Sequence, residues 1–340
     1  MKVALFADLH IHPYIRFASI SVRGFNSWVE SALDVLEQIY QECKRRDITT
    51  VYCLGDLFHV GVRLYTRTFI QVYEFFSRQK QEQFCTHLVA GNHDLVARGS
   101  TECILSGLRD VVSYVLVGQT YFQPGIEFLL VPYVESYESL MVDVKKMKPR
   151  VILGHLAVEG AVVGVNEFQP KEGISSESFD GLELVALGHY HKQQTVRKKD
   201  PRVVYIGSAM SLDFHDSGEQ KGFMILDTES LELEFVPIRS VGFTVLRGAE
   251  VGKVNVKDQI VRIDHAEEVD EERVRCELVA QGARAVVFNR TAVKEIELRT
   301  GNPDATFEDC LSVYVERNAG GLDKSRLLSL GREIVQECEQ

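Results

Sequence analysis

Met1-Lys2-Val3-Ala4-Leu5-Phe6-Ala7-Asp8-Leu9-His10-Ile11-His12 opens the chain with a short apolar run that stops abruptly at an acid and two alternate histidines. A run this short, bounded by polar residues, predicts a buried β-strand. The same grammar recurs further on. Thr49 to Leu54 leads into Gly55-Asp56-Leu57-Phe58-His59, and Phe84 to Ala90 leads into Gly91-Asn92-His93-Asp94. Arg150 to Leu153 leads into Gly154-His155, and Glu183 to Leu187 into Gly188-His189-Tyr190-His191. Five strands are thus expected to deliver metal-ligand residue types from their carboxyl ends.

Between the first strands, Trp28 to Arg46 places Val29, Leu33, Leu36, Ile39, Tyr40 and Cys43 near helical spacing, behind an N-cap at Asn26 or Ser27. Thr66 to Arg78 is a second candidate helix. This βαβα opening predicts an α/β fold with a largely parallel sheet and a ligand site outside the carboxyl ends of its strands. Beyond about residue 200 the strands shorten: Arg202 to Ile206, Gly222 to Asp227, Glu232 to Pro237 and Phe243 to Arg247 follow in hairpin-like succession. Two sheets packed as a sandwich and flanked by helices accommodate both halves. A second unit is expected from residue 249, with Asn255 to Ile263 a strand, Asp270 to Gln281 a helix, Ala285 to Asn289 a strand and Lys294 to Leu298 another. Thr306 to Glu316 and Asp323 to Glu337 then read as two helices, separated by Asn318-Ala319-Gly320-Gly321.

The 340 residues, 45% apolar and 26% charged, are those of a globular protein of about two domains and not of a disordered or collagen-like chain. Lys and Arg total 38 against 49 Asp and Glu, a formal charge of -11, which excludes a general cationic binder of nucleic acid or anionic membranes. No apolar stretch approaches the roughly 20 residues that span a bilayer, and the first apolar run is too short for a signal peptide. The seven cysteines are an odd, scattered set without a CxxC pair. Reduced, mostly buried thiols and a cytoplasmic location are the expectation.

Carboxylate and amide oxygens suit hard divalent cations, and imidazole admits manganese, iron or zinc. Two such ions about 3.5–4 Å apart can clamp a phosphoryl transfer when a carboxylate bridges them. Asp8, His10, Asp56, Asn92, His155, His189 and His191 supply that inventory. Each one alone is as well explained as a strand terminator or helix cap. Together they are not, because six of the ten histidines (His10, His59, His93, His155, His189 and His191) stand directly after predicted strands.

In order and separation, Asp8-x-His10, Gly55-Asp56-x-x-His59, Gly91-Asn92-His93-Asp94, Gly154-His155 and Gly188-His189-x-His191 resemble the five motifs of calcineurin-like metallophosphoesterases. His59 narrows the resemblance to the SbcD-type nuclease subunit of DNA double-strand-break repair, in its compact phage-like version. Tyr205-Ile206-Gly207-Ser208 and Lys221-Gly222-Phe223 are similar to further elements of that family. The resemblance implies a four-layer αββα sandwich over residues 1–248, a smaller α+β capping domain over 249–305 that grips DNA, and C-terminal helices over 306–340 available for docking an ATPase. It implies one metal on Asp8, His10 and His191, another on Asn92, His155 and His189, and Asp56 bridging them. Manganese leads as the metal, with magnesium, iron or zinc as alternatives. His93 would orient the phosphate or protonate the leaving oxygen, and His59 would stabilise developing charge. The implied function is an exonuclease and endonuclease acting on duplex ends, single strands and hairpins with an SMC-like ATPase. The protein would form a homodimer within a heterotetramer, in the cytoplasm, or in the host cytoplasm if phage-encoded.

Other readings remain open from the residues. A small-molecule phosphodiesterase acting on cyclic nucleotides or dinucleotides would use the same site, and an adaptor would keep the fold without the chemistry. Asp94 could hold His93 or cap a turn, His12 is expected in a solvent-facing loop, and His87 is expected in the core with its hydrogen bonds satisfied. Of two basic clusters, Lys145 to Arg150 lies at a helix end, and Lys192 to Arg202 follows the last metal-ligand motif and could meet phosphate.

Overall fold

The computed structural model describes the chain apart from residues 23, 64, 98, 117–120, 124–126, 135, 165–167, 171–172, 248–253, 266–268, 291–306, 321 and 339–340. In chain order the strands are β1 (Lys2–Phe6), β2 (Thr50–Leu54), β3 (Cys85–Val89), β4 (Tyr114–Leu116), β5 (Tyr121–Gln123), β6 (Phe128–Val131), β7 (Val151–His155), β8 (Leu184–Gly188), β9 (Gln194–Arg197) and β10 (Arg202–Tyr205). They continue with β11 (Gly222–Asp227), β12 (Leu233–Pro237), β13 (Gly242–Arg247), β14 (Gln259–His265) and β15 (Ala285–Arg290). The α-helices are α1 (Ser27–Arg45), α2 (Thr66–Gln81), α3 (Tyr137–Met147), α4 (Glu271–Ala280), α5 (Phe307–Asn318) and α6 (Lys324–Cys338).

Two six-stranded sheets run β12-β11-β1-β2-β3-β4 and β5-β6-β7-β8-β10-β9. The neighbours β1 to β4 are parallel, as are β6, β7, β8 and β10, while β11, β12, β5 and β9 pair antiparallel at the edges. Successive side chains of a strand point to opposite faces. On β1, Val3 and Leu5 therefore enter a core shared with Phe128, Leu130, Val151 and Leu153 of the second sheet, while Ala4 and Phe6 meet α1. The outer face of the second sheet, Leu129, Ile152 and Val185, packs with Leu140 and Val144 of α3. The result is the expected four-layer α/β/β/α sandwich, part of a mixed α/β fold.

Helix α1 forms where its spacing predicts. The Asn26 side chain accepts from the Trp28 N–H, Glu30 sits in the positive first turn, and Val29, Ala32, Leu36, Ile39 and Cys43 are buried along one stripe. Of these, Val29, Leu36 and Ile39 each contribute about 1.5–3 kcal/mol on burial.

Of the later strands, β11 and β12 form the expected antiparallel hairpin, but the others do not continue it. β10 belongs to the second sheet and pairs with β9, whereas β11 crosses back to the first; β13 pairs in parallel with β14 in a three-stranded sheet β13-β14-β15. The crossover passes through residues 206–221, over the end of the sandwich that carries the histidine motifs. α4 caps the three-stranded sheet through Val274 and Leu278, against Val261, Ile263 and Val286. The strand expected from Asn255 begins only at Gln259, because Asp258 takes a left-handed φ of 60°. The strand expected at Lys294 to Leu298 lies outside the described residues.

Residues 1–264 and 269–289 form one compact unit; residues 265–268 and 290–340 form another, in which α5 and α6 pack together, with Leu311 against Gly331. Of the cysteines, Cys43, Cys53 and Cys103 are buried but Cys85, Cys276 and Cys310 are exposed, and all six are free. Among the described residues no helix is long and apolar enough to cross a membrane.

Candidate metal centre

The carboxyl ends of β1, β2, β3, β7 and β8 meet at one end of the sandwich. The loops after β1 and β2 are laced by Asp8 N–H to the Gly55 carbonyl (3.0 Å), His10 N–H to the Asp56 carbonyl (2.9 Å) and Ile11 N–H to the Leu57 carbonyl (2.8 Å). Asp8, His10, Asp56 and His189 all have positive φ, of 52°, 46°, 52° and 102°. Left-handed non-glycine residues cost of order 1–3 kcal/mol each and persist where the surroundings impose them. The preceding glycines answer a packing need. A Cβ on Gly55, itself at φ 98°, would lie 2.1 Å from His155 Nδ1, and one on Gly91 would lie 2.1 Å from Asp56 Oδ1.

All seven expected ligands are brought together. Asp8, His10 and His191 each place a ligand atom within 4.8 Å of the others, with His10 Nε2 3.2 Å from His191 Nε2. Beside them, Asn92 Oδ1 stands 3.1 Å from His155 Nε2 and 3.2 Å from His189 Nδ1. Between the two groups lies Asp56, whose Oδ2 is 3.6 Å from His10 Nε2 and 3.4 Å from His155 Nε2. His155 is oriented by the Leu54 carbonyl, 2.9 Å from its Nδ1, which directs Nε2 toward the cluster. Two carboxylates, one amide oxygen and four imidazoles converging in this way fit divalent cations of the manganese, iron or zinc type.

The electrostatics are those of a site that attracts positive charge. Burial alone would push the His155 pKa down, but the Asp56 and Asp8 carboxylates outweigh it and raise it to about 9. Burial also opposes ionisation of Asp56, yet the neighbouring His155 and His10 hold its carboxyl below the ordinary range. Asp8, fully buried, is raised to about 6 by burial despite His155 and His191. His189 is pushed down to about 3 by burial and by His155, and His10 is pushed well below its usual value by burial. Neutral imidazole lone pairs are the form that ligates a metal.

The two expected catalytic histidines stack at the rim. His59 and His93 have ring centroids 5.1 Å apart and planes 16° apart, and both rings flank His10. His93 Nδ1 lies 2.9 Å from the His59 carbonyl, and its backbone N–H donates to Asp56 Oδ1 at 2.9 Å. Asp94 takes a different task from steering His93. Its buried carboxylate accepts the backbone N–H groups of Phe58 (2.9 Å) and Gly91 (3.0 Å), tying the β2 and β3 loops, and burial beside Asp56 raises it to about 7. Burial pushes the His59 pKa down to about 4, with His93 adding to the effect.

Some parts of the site have no signal in sequence. The His191 carbonyl is held by the Ser208 N–H at 3.0 Å and by Lys221 Nζ at 3.1 Å. Lys221, only 4% exposed, is itself bonded to Asp216 at 2.9 Å and Glu219 at 2.7 Å. Its place in the Lys-Gly-Phe element marked Lys221 as family-like, but not what it holds. His12, expected in solvent, is half-buried and packs edge-on against Tyr14, His59 and Tyr65, with centroids 4.7, 5.4 and 4.9 Å away. In the basic stretch after His191, Arg197 is spent on Asp180 at 2.6 Å.

A profile described as the calcineurin-like phosphoesterase superfamily domain matches residues 1–231. The chain belongs to that superfamily of metallophosphoesterases. Among curated proteins, exonuclease subunit 1 of Enterobacteria phage T4 is 24% identical over 267 residues, covering 76% of this chain and 74% of the phage protein. The SbcD polypeptide of the nuclease SbcCD from Staphylococcus epidermidis is 27% identical over 112 residues, covering 31% of this chain and 29% of its own length. The DNA double-strand break repair protein Mre11 of Methanocaldococcus jannaschii is 24% identical over 225 residues, covering 60% of this chain and 57% of that protein.

Proposed function

We propose that the chain is a two-metal phosphodiesterase that cleaves DNA, as exonuclease and endonuclease, with an SMC-like ATPase partner in break repair, recombination and replication. The observation that carries this reading is Asp56, whose single oxygen Oδ2 approaches both ligand groups, His10 at 3.6 Å and His155 at 3.4 Å. One ion would be held by Asp8, His10 and His191, the other by Asn92, His155 and His189, with Asp56 common to both. Divalent cations there, manganese first, would supply Lewis-acid charge to the phosphodiester and to an attacking water.

The remaining chemistry belongs to the rim. A carbonyl oxygen only accepts, so the His59 carbonyl fixes the hydrogen of His93 on Nδ1 and leaves Nε2 to bind, or when protonated to give a proton to, the leaving oxygen. The stacked His59 ring limits how His93 can swing and lends its own N–H to developing negative charge. Two relatives bear the names of nucleases and the third that of a DNA double-strand break repair protein, and together these names support DNA as the substrate. The proposal further takes the chain as a homodimer, with the segment 249–305 capping DNA and the C-terminal helices α5 and α6 docking the ATPase, as the resemblance of the five motifs to SbcD-type nucleases implies.

The test is hydrolysis of linear duplex, single-stranded and hairpin DNA beside cyclic mononucleotides and dinucleotides, with manganese or magnesium. DNA should be cleaved in preference with manganese present. Preference for the cyclic substrates would reject the nuclease reading and leave the phosphodiesterase chemistry standing.

A further inference from the structure

Next to the stacked histidines the surface opens into a cavity of about 730 Å³, lined among others by Tyr14, Ile15, Arg16, Ile20, Tyr65 and Arg67. It is not the metal centre, but two residues of its wall touch the His59 ring at that centre's rim. His12 lies in its wall and packs on His59, and Tyr14 packs on His59 at 5.2 Å. Its size falls in the range of pockets that enclose a small organic ligand.

Three properties of the wall narrow the occupant. Its residues include two aromatic rings, Tyr14 and Tyr65, together with exposed aliphatic side chains, Ile15 at 93% and Ile20 at 66%. The described lining residues include Arg16 and Arg67 and no carboxylate, in a chain whose formal charge is -11. Arg63 lies over the Tyr65 ring at 5.9 Å, so cationic and aromatic surface coincide. A flat, hydrogen-bonding aromatic group attached to an anion fits such a wall, because bases stack on tyrosine and phosphates seek arginine. Arg67 gives one donor to the Gly24 carbonyl at 2.6 Å and Arg16 lies over the Phe17 ring at 4.8 Å, but a purely aliphatic ligand would leave their remaining donors unused, and inorganic phosphate would leave the tyrosine rings unused.

We infer that this cavity is a nucleoside subsite, which takes the base of the nucleotide adjoining the scissile phosphate on the His59 side. The inference rests on the phosphodiesterase reading of the metal centre and adds to it a preference for an intact base next to the bond that breaks. Tyr65 is the residue to probe, since it touches His12 but neither His59 nor any of the seven metal-ligand residues in the ring contacts found.

The experiment compares three substrates with manganese. These are a phosphodiester oligomer of propane-1,3-diol, which carries no base and no aromatic ring, a single-stranded oligonucleotide, and the same oligonucleotide with abasic residues. Stacking on one aromatic ring is worth roughly tenfold in binding. Wild-type protein should therefore show a KM about tenfold lower for the intact than for the abasic strand. Tyr65→Ala should abolish that difference by raising the KM for the intact strand, Tyr65→Phe should keep it, and hydrolysis of the base-free diester should stay within about twofold in both variants. An intact-to-abasic ratio that Tyr65→Ala leaves unchanged, or one near unity in wild type, would overturn the subsite while leaving the nuclease reading in place. Hydrolysis of the base-free diester with no cleavage of any DNA would reject the nuclease reading itself; the subsite would then stand only if thymidine 5′-monophosphate inhibits better than inorganic phosphate, and falls if it does not.

Discussion

The two sheets of the sandwich end in different chemistry. The loops after β1, β2 and β3 carry both carboxylates, the amide and the stacked pair His59 and His93, whereas the ends of β7 and β8 contribute imidazoles alone, His155, His189 and His191. Both carboxylates lie on one sheet and only imidazoles come from the other, so the seven-residue cluster draws on both. The centre exists only once the sheets have packed through Leu5, Leu54, Leu130 and Leu153. Metal affinity should therefore report on the packing of the sandwich, and the strain at Asp8, His10, Asp56 and His189 is sustained by that packing.

This division between the sheets is broken most severely on the first of them. His93→Ala removes a side chain proposed to act on the transition state while leaving all seven metal-ligand residues in place. Turnover of DNA should fall by about 10²–10⁴-fold with manganese and DNA binding close to wild type. Near-normal turnover would remove its assigned role. On the second side the weak point is the support of His191. Lys221→Met leaves the His191 carbonyl with Ser208 alone and strands Asp216 and Glu219 without their cation. A drop of about 10–100-fold in manganese affinity, measured by calorimetry, is expected, as for other partners that orient ligands. An unchanged affinity would show that His191 is held well enough without it.

A subtler test lies in the middle of the first sheet, away from the centre. His87 on β3 stacks on Tyr52 at 4.7 Å, its Nδ1 finds no hydrogen-bond partner among the described residues, and burial pushes its pKa from 6.5 down to about 4. With the folded pKa depressed, its contribution is fully present above about pH 6.5 and is lost as pH falls from there toward about 4. At roughly 1.4 kcal/mol per pH unit, and discounted for partial solvent access, the loss is about 1–3 kcal/mol. His87→Leu should flatten the decline of stability over that window by this amount in denaturant titrations. An identical pH profile would mean that His87 does not sense the acid.

How much of this was legible in the sequence follows from what kind of interaction carries it. The strands β1, β2, β3, β7 and β8 and helix α1 are written in local periodicity, so their places and the convergence of seven ligand types were readable in advance. The short strands Tyr114–Leu116 and Tyr121–Gln123 have too few residues to show alternation. The parallel pairing of β13 with β14 depends on a partner still further along the chain, which no local pattern reveals. Within the site, residue identities were visible but their supports were not. A backbone carbonyl orients His93, another orients His155, and Lys221 reaches His191 across 30 positions. Asp94 shows the difference well: its neighbour in sequence is His93, yet its bonds run to Phe58 and Gly91.

The claim that two ligand groups, each drawn from both sheets, share Asp56 is tested most directly by manganese titration followed by electron paramagnetic resonance. Two ions per chain with an exchange-coupled spectrum are expected, replaced in Asp56→Asn by weaker binding without coupling. A single uncoupled ion in the wild-type protein at saturation would contradict the shared carboxylate.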